Sequence, residues 1–442
     1  MTKGRFPRHR PGLAGHPLAA LRGLFAPARL FGRTDEPSAG IHPDFSYQRI
    51  LPSPGPLLPE DSLVFLHIEK TAGTTAHHVL AAHFPEDQVC PARFGNVISL
   101  WEPARLARYR FFSFHASSRV ISPIPGPKKV VTFLREPVAR LLSHYNFWRS
   151  IRDEVIEQEH WDHIRYVKQM PLKDLLAPAP LAATPDFWNL HAQRLAGDLF
   201  LSPAGRAWRD ENELLDTALA NLENLASVGI TEYPHLSFQQ IAEDLGLPNH
   251  YDGMRLNVTA NKVTDEPDRF EPLTESALDD ETAECLDRAT RLDRRVYDHG
   301  QLRFRDRLRV GVILKGSVPP HVRTVVEDGC ELIVGDHQQG NILFGPYCAL
   351  PAGRYRATLW LRARTAARAK RPGSITIDVC SGGSQKIHAV QSVRPLILAD
   401  QWFDPVDIEF TLTDPVDLVE IRVNVAGLAR IAVKRGVAIR LH

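Results

Sequence analysis

The stretch FLHIEKTAGTTAHHVL, residues 65–80, decides the fold of this chain. It begins as an apolar, strand-like run, passes through a lysine, a glycine and several hydroxyl residues, and ends in a helical pattern that is expected to start at Thr74 or Thr75. A helix that starts after such a loop offers free N–H groups and a partial positive charge to an anion. The Walker loop, G-x-x-x-x-G-K-[ST], has its lysine after the second glycine, whereas Lys70 precedes Gly73 here and the first glycine is absent. The loop therefore predicts an anion site unlike that of an NTP-hydrolysing P-loop; a threonine N-cap on an ordinary turn is the alternative.

The composition indicates a globular protein of two or three domains. The 442 residues are 43% hydrophobic and 24% charged, and 53 Lys and Arg against 52 Asp and Glu give no overall basicity that would indicate a nucleic-acid partner. The five cysteines form no C-x-x-C pair, which favours a reduced, cytoplasmic setting. The 19 histidines show no metal-ligand spacing, so no metal site is predicted. The apolar runs are shorter than the roughly 18 residues that a membrane-spanning helix needs.

The chain divides into three segments by pattern. Residues 1–60 are proline-rich, with 7 basic and 2 acidic side chains in the first 40, and predict a disordered tail and linker; a weak membrane-surface helix is the alternative. Residues 61–308 alternate apolar strands with helices, which predicts an α/β domain whose parallel sheet is flanked by helices. Residues 309–442 contain short alternating runs, which predict an antiparallel β-sandwich. The runs predicted as strands are GVILKGSV, ELIVG, GRYRATLWLRA, SITIDVCSG, VDIEFTLTD, VEIRVNVAG and ARIAVKRGVAIRL.

A second motif, KKVVTFLREPVARLLSHY, occupies residues 128–145. It predicts a strand that ends at Arg135 and a helix that starts at Pro137, with Ser143 two turns along. The carboxyl end of a strand is where α/β folds place ligand contacts, and a planar guanidinium suits a phosphate. An ion pair of Arg135 with Glu136 or a neighbouring helix is the alternative.

Together the two motifs resemble the core of the sulfotransferase family that includes heparan sulfate 2-O-sulfotransferase and its bacterial relatives. The resemblance rests on K-T-x-G-T-[TS] followed some sixty residues later by L-R-[ED]-P-V-x-R-L-x-S-x-Y. Further segments agree in order: NLHAQRLAG (189–197), VGITEYPHLSFQQIAEDLGLP (228–248), RLNVTANK (255–262) and RLDRRVYDHG (291–300). The resemblance spans about residues 62–305. It implies a P-loop-like sulfotransferase fold and transfer of a sulfuryl group from 3′-phosphoadenosine 5′-phosphosulfate (PAPS) to a glycan or glycolipid hydroxyl, with no metal.

The resemblance also implies roles for single residues. Arg135 and Ser143 would bind the 3′-phosphate of the donor, and Lys70 would meet the bridging oxygen as it leaves. The polar loop RLNVTANK would close over the nucleotide through Asn257 and Lys262; a solvated loop is the alternative. The residues predicted to cradle the phosphosulfate are Lys70, Thr71, Ala72, Gly73, Thr74 and Thr75.

The predicted general base is His115, on the strand between the two motifs. A neutral imidazole titrates near the working pH and can take the proton of a sugar hydroxyl, and the position resembles that of the catalytic histidine of the 2-O branch. A structural histidine at a strand end is the alternative, and His77 and His78 are weaker candidates. Glu69 departs from the family pattern, which often has proline before the lysine; its carboxylate either points away from the anion or serves as the base.

Four aromatic residues in the β-rich segment, Tyr347, Tyr355, Trp360 and Trp402, are candidates for stacking on sugars, and the alternative is that they form core. The second functional prediction is therefore a catalytically inactive glycan-binding or scaffolding protein with a sulfotransferase-like core. A nucleotide kinase comes third, because the placement of Lys70 disfavours it. The sequence predicts a cytoplasmic location and no particular oligomeric state; peripheral contact of the basic N-terminus at the inner membrane face is the alternative.

Overall fold

The structure is a computed structural model of the chain. It describes residues 50–98, 100–115, 117–178, 184–197, 210–256, 259–273, 278–327, 329–335, 339–364, 373–395, 398, 402–428 and 430–442. Most of the predicted N-terminal tail, residues 1–49, and the predicted nucleotide contact Asn257 lie outside the described residues.

The helices fall mainly in the first two thirds of the chain. Within the described ranges they are α1 Gly73–Ala81, α2 Gly95–Ile98, α3 Pro103–Leu106, α4 Pro137–Arg149, α5 Asp153–Gln158, α6 Asp162–Lys168, α7 Leu172–Leu175, α8 Leu190–Ala196, α9 Glu211–Asn224, α10 Pro234–Leu245, α11 Thr259–Asp265 and α12 Asp280–Val310.

The strands fall in two groups. The first group is β1 Ser62–Leu66, β2 Phe111–Phe114, β3 Lys128–Leu134 and β4 Ser227–Ile230. The second group is β5 Val312–Lys315, β6 Arg323–Glu327, β7 Cys330–Gly335, β8 Gly340–Leu343, β9 Pro346–Leu350, β10 Gly353–Arg364, β11 Ser374–Ser381, β12 Lys386–Val393, β13 Asp404–Leu412, β14 Val416–Ala426, β15 Arg430–Lys434 and β16 Gly436–Leu441.

The first group forms a parallel sheet with the strand order β2-β1-β3-β4. Every residue of β1 is buried, because alternate side chains enter two different layers. Leu63 and Phe65 pack with α1 and α10, whereas Val64 and Leu66 join a cluster that includes α8, α9 and α12. The predicted α/β arrangement with a parallel sheet is confirmed. Because the strands are parallel, the carboxyl ends of β1, β2 and β3 meet at one edge.

The start of α1 differs from the prediction. The helix begins at Gly73, one or two residues before the expected start at Thr74 or Thr75. Its N-cap is Ala72, which has left-handed backbone (φ 62°) and no side chain able to cap the helix. The alternative of a threonine N-cap is therefore wrong. The predicted helix Pro137–Arg149 is confirmed as α4.

The second group forms two antiparallel sheets. The larger has the order β5-β16-β10-β15-β7-β6, with β13 paired to β10, and the smaller has the order β12-β11-β14-β8, with β9 paired to β14. The predicted antiparallel, sandwich-like region is confirmed, although β6, β8, β9 and β12 were not predicted. The final run of the sequence forms two strands because the chain bends at Arg435, whose Nε donates to the carbonyl of Gly316 over 2.8 Å.

The helix α12 connects the two groups of strands. It packs against β4 and β16, and Phe304 and Leu308 share one buried cluster with Val312. Arg305 donates to the carbonyl of Ala352 over 2.6 Å. The predicted boundary near residue 308 thus falls in the last turn of a helix whose end is packed into the β-rich region. Among the described helices, none combines the length and the apolar character needed to cross a membrane.

Candidate functional site

The edge formed by the ends of β1, β2 and β3 brings the two sequence motifs together. The loop of residues 67–72 follows β1, His115 follows β2 and Arg135 follows β3. Nη1 of Arg135 donates to the backbone carbonyl of Lys70 over 3.1 Å. The lysine of the first motif and the arginine of the second are therefore in direct contact.

The backbone of the loop is left-handed at two non-glycine residues. Lys70 has φ 66° and Ala72 has φ 62°, a conformation that costs an L-residue roughly 1–2 kcal/mol. Between them, the hydroxyl of Thr71 donates to the carbonyl of Ile68 over 2.8 Å and is buried. This turn brings the chain from the end of β1 to the first N–H groups of α1.

The start of α1 is packed on both sides. A Cβ at Gly73 would lie 1.5 Å from Nε2 of His67, so only glycine fits there. On the other side, the buried hydroxyl of Thr75 accepts a hydrogen bond from the backbone N–H of Leu256 over 2.9 Å, while Thr74 is exposed. This hydrogen bond holds the chain just before residue 257 across the start of α1.

Three cations gather around this turn. The pKa of Lys70 is lowered to about 8 by burial and by the neighbouring charges of Arg135 and Lys262. Nζ of Lys70 lies 4.1 Å from the ring centroid of Phe147 on α4. Ser143 is one turn before Phe147, so both lie on the same face of α4. A cluster of like charges that lowers its own lysine pKa is stabilised when an anion binds.

The ion pair considered as an alternative role for Arg135 is not formed with any carboxylate in the described residues. The carboxylate of Glu136 instead caps α4, where it accepts from first-turn N–H groups at 2.6 and 3.1 Å. Glu232 accepts from the N–H of Glu136 over 2.8 Å and from the hydroxyl of Tyr297 over 3.1 Å. Arg135 therefore lies near carboxylates that are already engaged by other donors.

Glu69 lies in a different environment from Lys70. Its carboxylate accepts from the guanidinium of Arg194, with Nε at 3.1 Å from Oε2 and Nη2 bonded to Oε1. Burial alone would raise the pKa of Glu69, but Arg194 and His115 hold it well below its usual range. Arg194 also lies 3.4 Å from Asp186, whose pKa is raised to about 6 by burial and by Glu69. The first of these carboxyl groups to take up a proton is thus Asp186, and Glu69 stays ionised.

His115 lies between Glu69 and His67. Its Nδ1 is buried and lies 3.7 Å from Oε1 of Glu69, longer than a hydrogen bond, while 31% of the side chain is exposed. Its ring centroid is 3.9 Å from that of His67. Burial and the neighbouring His115 keep the pKa of His67 well below its usual range, so His67 is neutral. Both imidazoles are half-buried, and His115 is the one whose Nδ1 lies 3.7 Å from the Glu69 carboxylate.

The weaker candidates in α1 lie elsewhere. Nδ1 of His77 lies 2.7 Å from a guanidinium nitrogen of Arg93, and burial together with Arg93 lowers the pKa of His77 to about 3. His78 is exposed on the same helix. His77 is therefore neutral and engaged with a guanidinium, and His78 is exposed to solvent. The structure supports neither histidine as the base.

A layer of buried polar groups lies beneath Glu69. Arg140 is fully buried and donates to the carbonyl of Asp186 over 3.0 Å. Asp293 accepts from the N–H of Ala192 over 2.9 Å, and burial raises its pKa to about 6. In the described ranges no group of three or more His, Cys, Asp or Glu side chains is arranged to hold a metal ion.

The sequence did not identify Arg194, Arg93 or Phe147 as parts of the site. Arg194 stands in NLHAQRLAG, one of the segments that support the resemblance, but position in a segment does not reveal which side chain it meets. Its partner Glu69 is 125 residues away. The available signal was Glu69 itself, because a carboxylate beside a buried strand needs a cation to compensate it.

Comparison with known proteins gives one relative of interest. The human protein named heparan-sulfate 6-O-sulfotransferase 2 is 27% identical over 251 aligned positions, which cover 45% of this chain and 40% of that protein. The likeness supports a sulfotransferase relationship. The match spans less than half of the relative's length, and the predicted 2-O branch stays a prediction. No family model matches the chain.

Solved structures similar to parts of this chain include two carbohydrate-binding modules. One is the module CBM6cm-2 of Cellvibrio mixtus lichenase 5A in complex with cellotriose, with 13% identity, a TM-score of 0.22, and coverage of 30% of this chain and 97% of the module. The other is the xylan-binding module CBM15, with 9% identity, a TM-score of 0.22, and the same coverage of 30% and 97%. Likenesses with TM-scores this low do not identify a function.

The four aromatic residues predicted to stack on sugars occupy different environments. Tyr355 is fully buried and its ring stacks on Phe410, so it belongs to the core and that prediction is wrong. Tyr347 and Trp360 are half-buried. Trp402 is 64% exposed. An aromatic on an alternating strand is buried or exposed according to its face, which explains the difference between Tyr355 and Trp360 on β10.

Proposed function

We propose that the chain is a sulfotransferase that transfers a sulfuryl group from PAPS to a hydroxyl of a glycan or glycolipid. The observation that carries the proposal is the convergence of Lys70, Arg135 and Lys262 at the start of α1, with His115 on the other side of the same loop. The likeness to a heparan-sulfate sulfotransferase supports the reaction class.

The cation cluster is proposed to bind the donor. Lys70, Gly73 and the first N–H groups of α1 would hold the 5′-phosphosulfate, because a helix N-terminus and an ammonium both favour an anion. Arg135 and Ser143 would bind the 3′-phosphate, where a planar guanidinium can donate two hydrogen bonds. Lys262 on α11, whose ammonium also pairs with Glu266 over 2.9 Å, would add a further cationic donor.

The reaction is proposed as a direct transfer. The acceptor oxygen forms a bond to sulfur while the bond between sulfur and the bridging phosphate oxygen breaks, and the hydroxyl proton passes to His115. Lys70 neutralises the charge that develops on the leaving oxygen, an effect that is largest in the transition state. A sulfuryl group carries less charge than a phosphoryl group, so an ammonium and a helix terminus supply the stabilisation.

The acceptor is proposed to be a glycan or glycolipid presented to the enzyme at the cytoplasmic face of a membrane or in the cytoplasm. The position of the modified hydroxyl, 2-O as the motifs suggest or 6-O as the name of the relative states, is a question for product analysis. Fractionation of producing cells tests the location.

The central test supplies PAPS labelled in the sulfuryl group with a panel of cell-surface glycans and identifies the labelled product by mass spectrometry. Calorimetry with the product nucleotide, 3′-phosphoadenosine 5′-phosphate (PAP), tests donor binding separately. Transfer to one glycan together with PAP binding is the expected result. Wild-type protein that neither transfers sulfate nor binds PAP would overturn the proposal, and phosphorylation from ATP without response to PAPS would indicate a kinase.

A second candidate function, glycan binding by the β-rich region, is favoured by one surface. Lys434 lies 5.3 Å from the ring centroid of Phe403 and 5.9 Å from that of Trp360, and Arg362 lies 4.6 Å from Phe403. Trp402, next to Phe403 in the chain, is 64% exposed. Arg362 also pairs with Glu327 over 2.7 Å, so Lys434 is the cation of this surface that can attract an acidic group. Aromatic faces stack on sugar rings, and the surface therefore suits an anionic glycan.

The test of this surface is affinity electrophoresis in heparin and in desulfated heparin. Trp402→Ala and Trp360→Ala are expected to weaken retention of the protein by the sulfated polymer. Ile387→Ala, which removes a 48% exposed aliphatic side chain from the smaller sheet, is the matched control. Equal retention of the wild type and all three variants would exclude the surface, and retention without PAP binding or transfer would favour the inactive glycan-binding alternative.

A further inference from the structure

Glu69, which stands where the family pattern often has proline, is paired with Arg194. A proline before the lysine has no side-chain oxygen, whereas Glu69 places a carboxylate 3.7 Å from the buried Nδ1 of His115. The carboxylate is itself held by two guanidinium nitrogens of Arg194, which comes from α8. Glu69 therefore has a fixed side chain with one oxygen directed at the imidazole.

A carboxylate in this position decides which nitrogen of an imidazole carries the proton. An ionised carboxylate accepts from Nδ1–H and stabilises the imidazolium after proton transfer, which leaves Nε2 as the acceptor in the neutral ring. The distance of 3.7 Å is longer than a hydrogen bond, and catalytic contacts of this kind are often long before substrates bind. Nδ1 has no hydrogen-bond partner in the described residues, so no other acceptor competes with Glu69 for a proton on this nitrogen.

We propose that Glu69, held by Arg194, is a positioning residue that fixes the tautomer of His115 with its proton on Nδ1, so that Nε2 receives the proton of the acceptor hydroxyl. This inference rests on the proposed sulfotransferase function. As the bond between oxygen and sulfur forms, the hydroxyl proton moves to Nε2 and Nδ1 keeps its own proton. Glu69 remains ionised throughout and balances the charge of the imidazolium.

The surrounding charges are consistent with this assignment. Burial and the charge of Arg140 keep the pKa of His144 well below its usual range. His144 is therefore neutral and does not compete with the His115 imidazolium for the negative charge of Glu69. Asp186 shares Arg194 with Glu69 but has the higher pKa, so it is protonated before Glu69 as the pH falls. The charged and titratable groups that interact with Glu69 or His115 in the described residues include His67, Arg140, His144, Asp186, His191 and Arg194.

The kinetic test compares Glu69→Gln with the wild type, using PAPS and the acceptor identified above. The substituted amide keeps the shape of the side chain but loses its charge, so kcat is expected to fall about 10- to 100-fold, less than the roughly 10²–10⁴ that a general base supplies. The KM for PAPS should be unchanged, and the acid side of the pH–rate profile should move to lower pH because the imidazolium loses its counter-charge. In a His115→Ala background the same substitution should have no further effect on kcat.

A matched control separates positioning from the loss of one buried negative charge. Asp186→Asn removes a carboxylate that also contacts Arg194, whereas the carboxylate directed at Nδ1 of His115 is that of Glu69. It is expected to change kcat by a few-fold at most and to leave the shape of the pH–rate profile as it is. An equal fall in kcat for Asp186→Asn and Glu69→Gln would overturn the inference.

A spectroscopic readout makes the inference independent of activity. Nitrogen-15 NMR of the histidine side chains, with the His115 signal assigned by its loss in His115→Ala, should show the Nδ1–H tautomer in the wild type and a shift toward Nε2–H in Glu69→Gln. If Glu69→Gln does not fold, Glu69→Gln with Arg194→Gln replaces the buried ion pair by two amides and is measured in the same way. The same tautomer in wild type and variant would overturn the inference even if sulfate transfer is confirmed, whereas failure of transfer in the wild type would count against the proposed function alone.

Discussion

Lys70 and Glu69 are neighbours in the chain, but their side chains lie in opposite electrostatic surroundings. Lys70 lies with Arg135 and Lys262, a group called here the donor side, and its pKa is lowered to about 8. Glu69 lies with His115 and Arg194, called here the acceptor side, and its pKa is held well below its usual range. A single turn of backbone, left-handed at Lys70, thus separates the proposed anion site from the proposed proton acceptor.

The contrast teaches that a carboxylate next to a lysine proposed to bind phosphate need not oppose the anion. Arg194 engages both oxygens of Glu69, so the negative charge is compensated on the acceptor side and does not face the donor side. Variants of the two sides should therefore have separable effects on donor binding and on rate.

The largest effect is expected from Lys70→Ala. Loss of the ammonium removes the group proposed to neutralise the leaving oxygen, and removal of one such donor typically lowers kcat about 10²- to 10³-fold. Single-turnover transfer of labelled sulfate measures the chemical step directly. Lys173→Ala, which removes a half-exposed lysine paired with Glu281, is the control. If Lys70→Ala transferred sulfate at a rate close to that of the control, the proposed role of Lys70 in donor chemistry would be wrong.

Arg135→Ala is expected to act on donor binding more than on rate. A charge-assisted hydrogen bond contributes about 1.5–3 kcal/mol, so the Kd for PAP should rise by roughly one to two powers of ten. Titration calorimetry with PAP measures it, with Arg309→Ala as an exposed control. Glu69→Gln, on the acceptor side, should bind PAP as the wild type does; a similar loss in both variants would show that the two sides are one site.

Gly73→Ala is expected to destabilise the protein, because the new Cβ would lie 1.5 Å from Nε2 of His67. Overpacking of this kind costs about 1–3 kcal/mol of the free energy of unfolding. His67→Ala removes the ring, so the double variant should be more stable than Gly73→Ala. Urea unfolding of the wild type, the two single variants and the double variant measures the coupling. Additive effects would mean that the loop relaxes and that His67 does not fix the start of α1.

The lowered pKa of Lys70 predicts a pH dependence of anion binding. The folded protein without ligand loses the Lys70 proton near pH 8, before the unfolded chain does, so this residue makes the free energy of unfolding rise with pH between about 8 and the usual lysine range. A bound anion favours the protonated form. Above pH 8 the affinity for PAP should therefore fall, by up to about tenfold per pH unit, with uptake of a proton on binding. Calorimetry in two buffers of different ionisation enthalpy measures this uptake, which should disappear in Lys70→Arg.

The smallest effect is expected from Ala72→Gly. Glycine adopts the left-handed conformation at φ 62° without the steric cost that alanine incurs, so stability should rise by about 1 kcal/mol or less. A shift of the thermal midpoint to higher temperature, with PAP binding unchanged, is the expected result. A lower midpoint would show that Ala72 contributes packing that outweighs its backbone cost.

Much of the donor side was predictable from sequence. The strand, loop and helix around Lys70 and the helix Pro137–Arg149 follow from local pattern, and the parallel sheet then requires that Lys70 and Arg135 meet at one edge. The start of α1 was missed because the N-cap is Ala72, a residue without any capping group.

The acceptor side was less predictable because it depends on contacts distant in sequence. His115 was chosen by residue type and position, but its proximity to Glu69 depends on the side-by-side packing of β1 and β2. Arg194 reaches Glu69 from a helix 125 residues away. Residue type also failed to separate buried Tyr355 from exposed Trp402, because burial depends on which face of a strand meets the core.

The packing of α12 against both sheets has a consequence for how the protein unfolds. Phe304 and Leu308 are buried in the same cluster as Val312, so separation of the two regions would expose apolar surface on each. Regions that share a core in this way unfold together, in contrast to modules joined by a flexible linker. We therefore expect the α/β and β-rich parts to unfold as one cooperative unit, and an exchange of the β-rich part between related proteins should include the end of α12 that it covers.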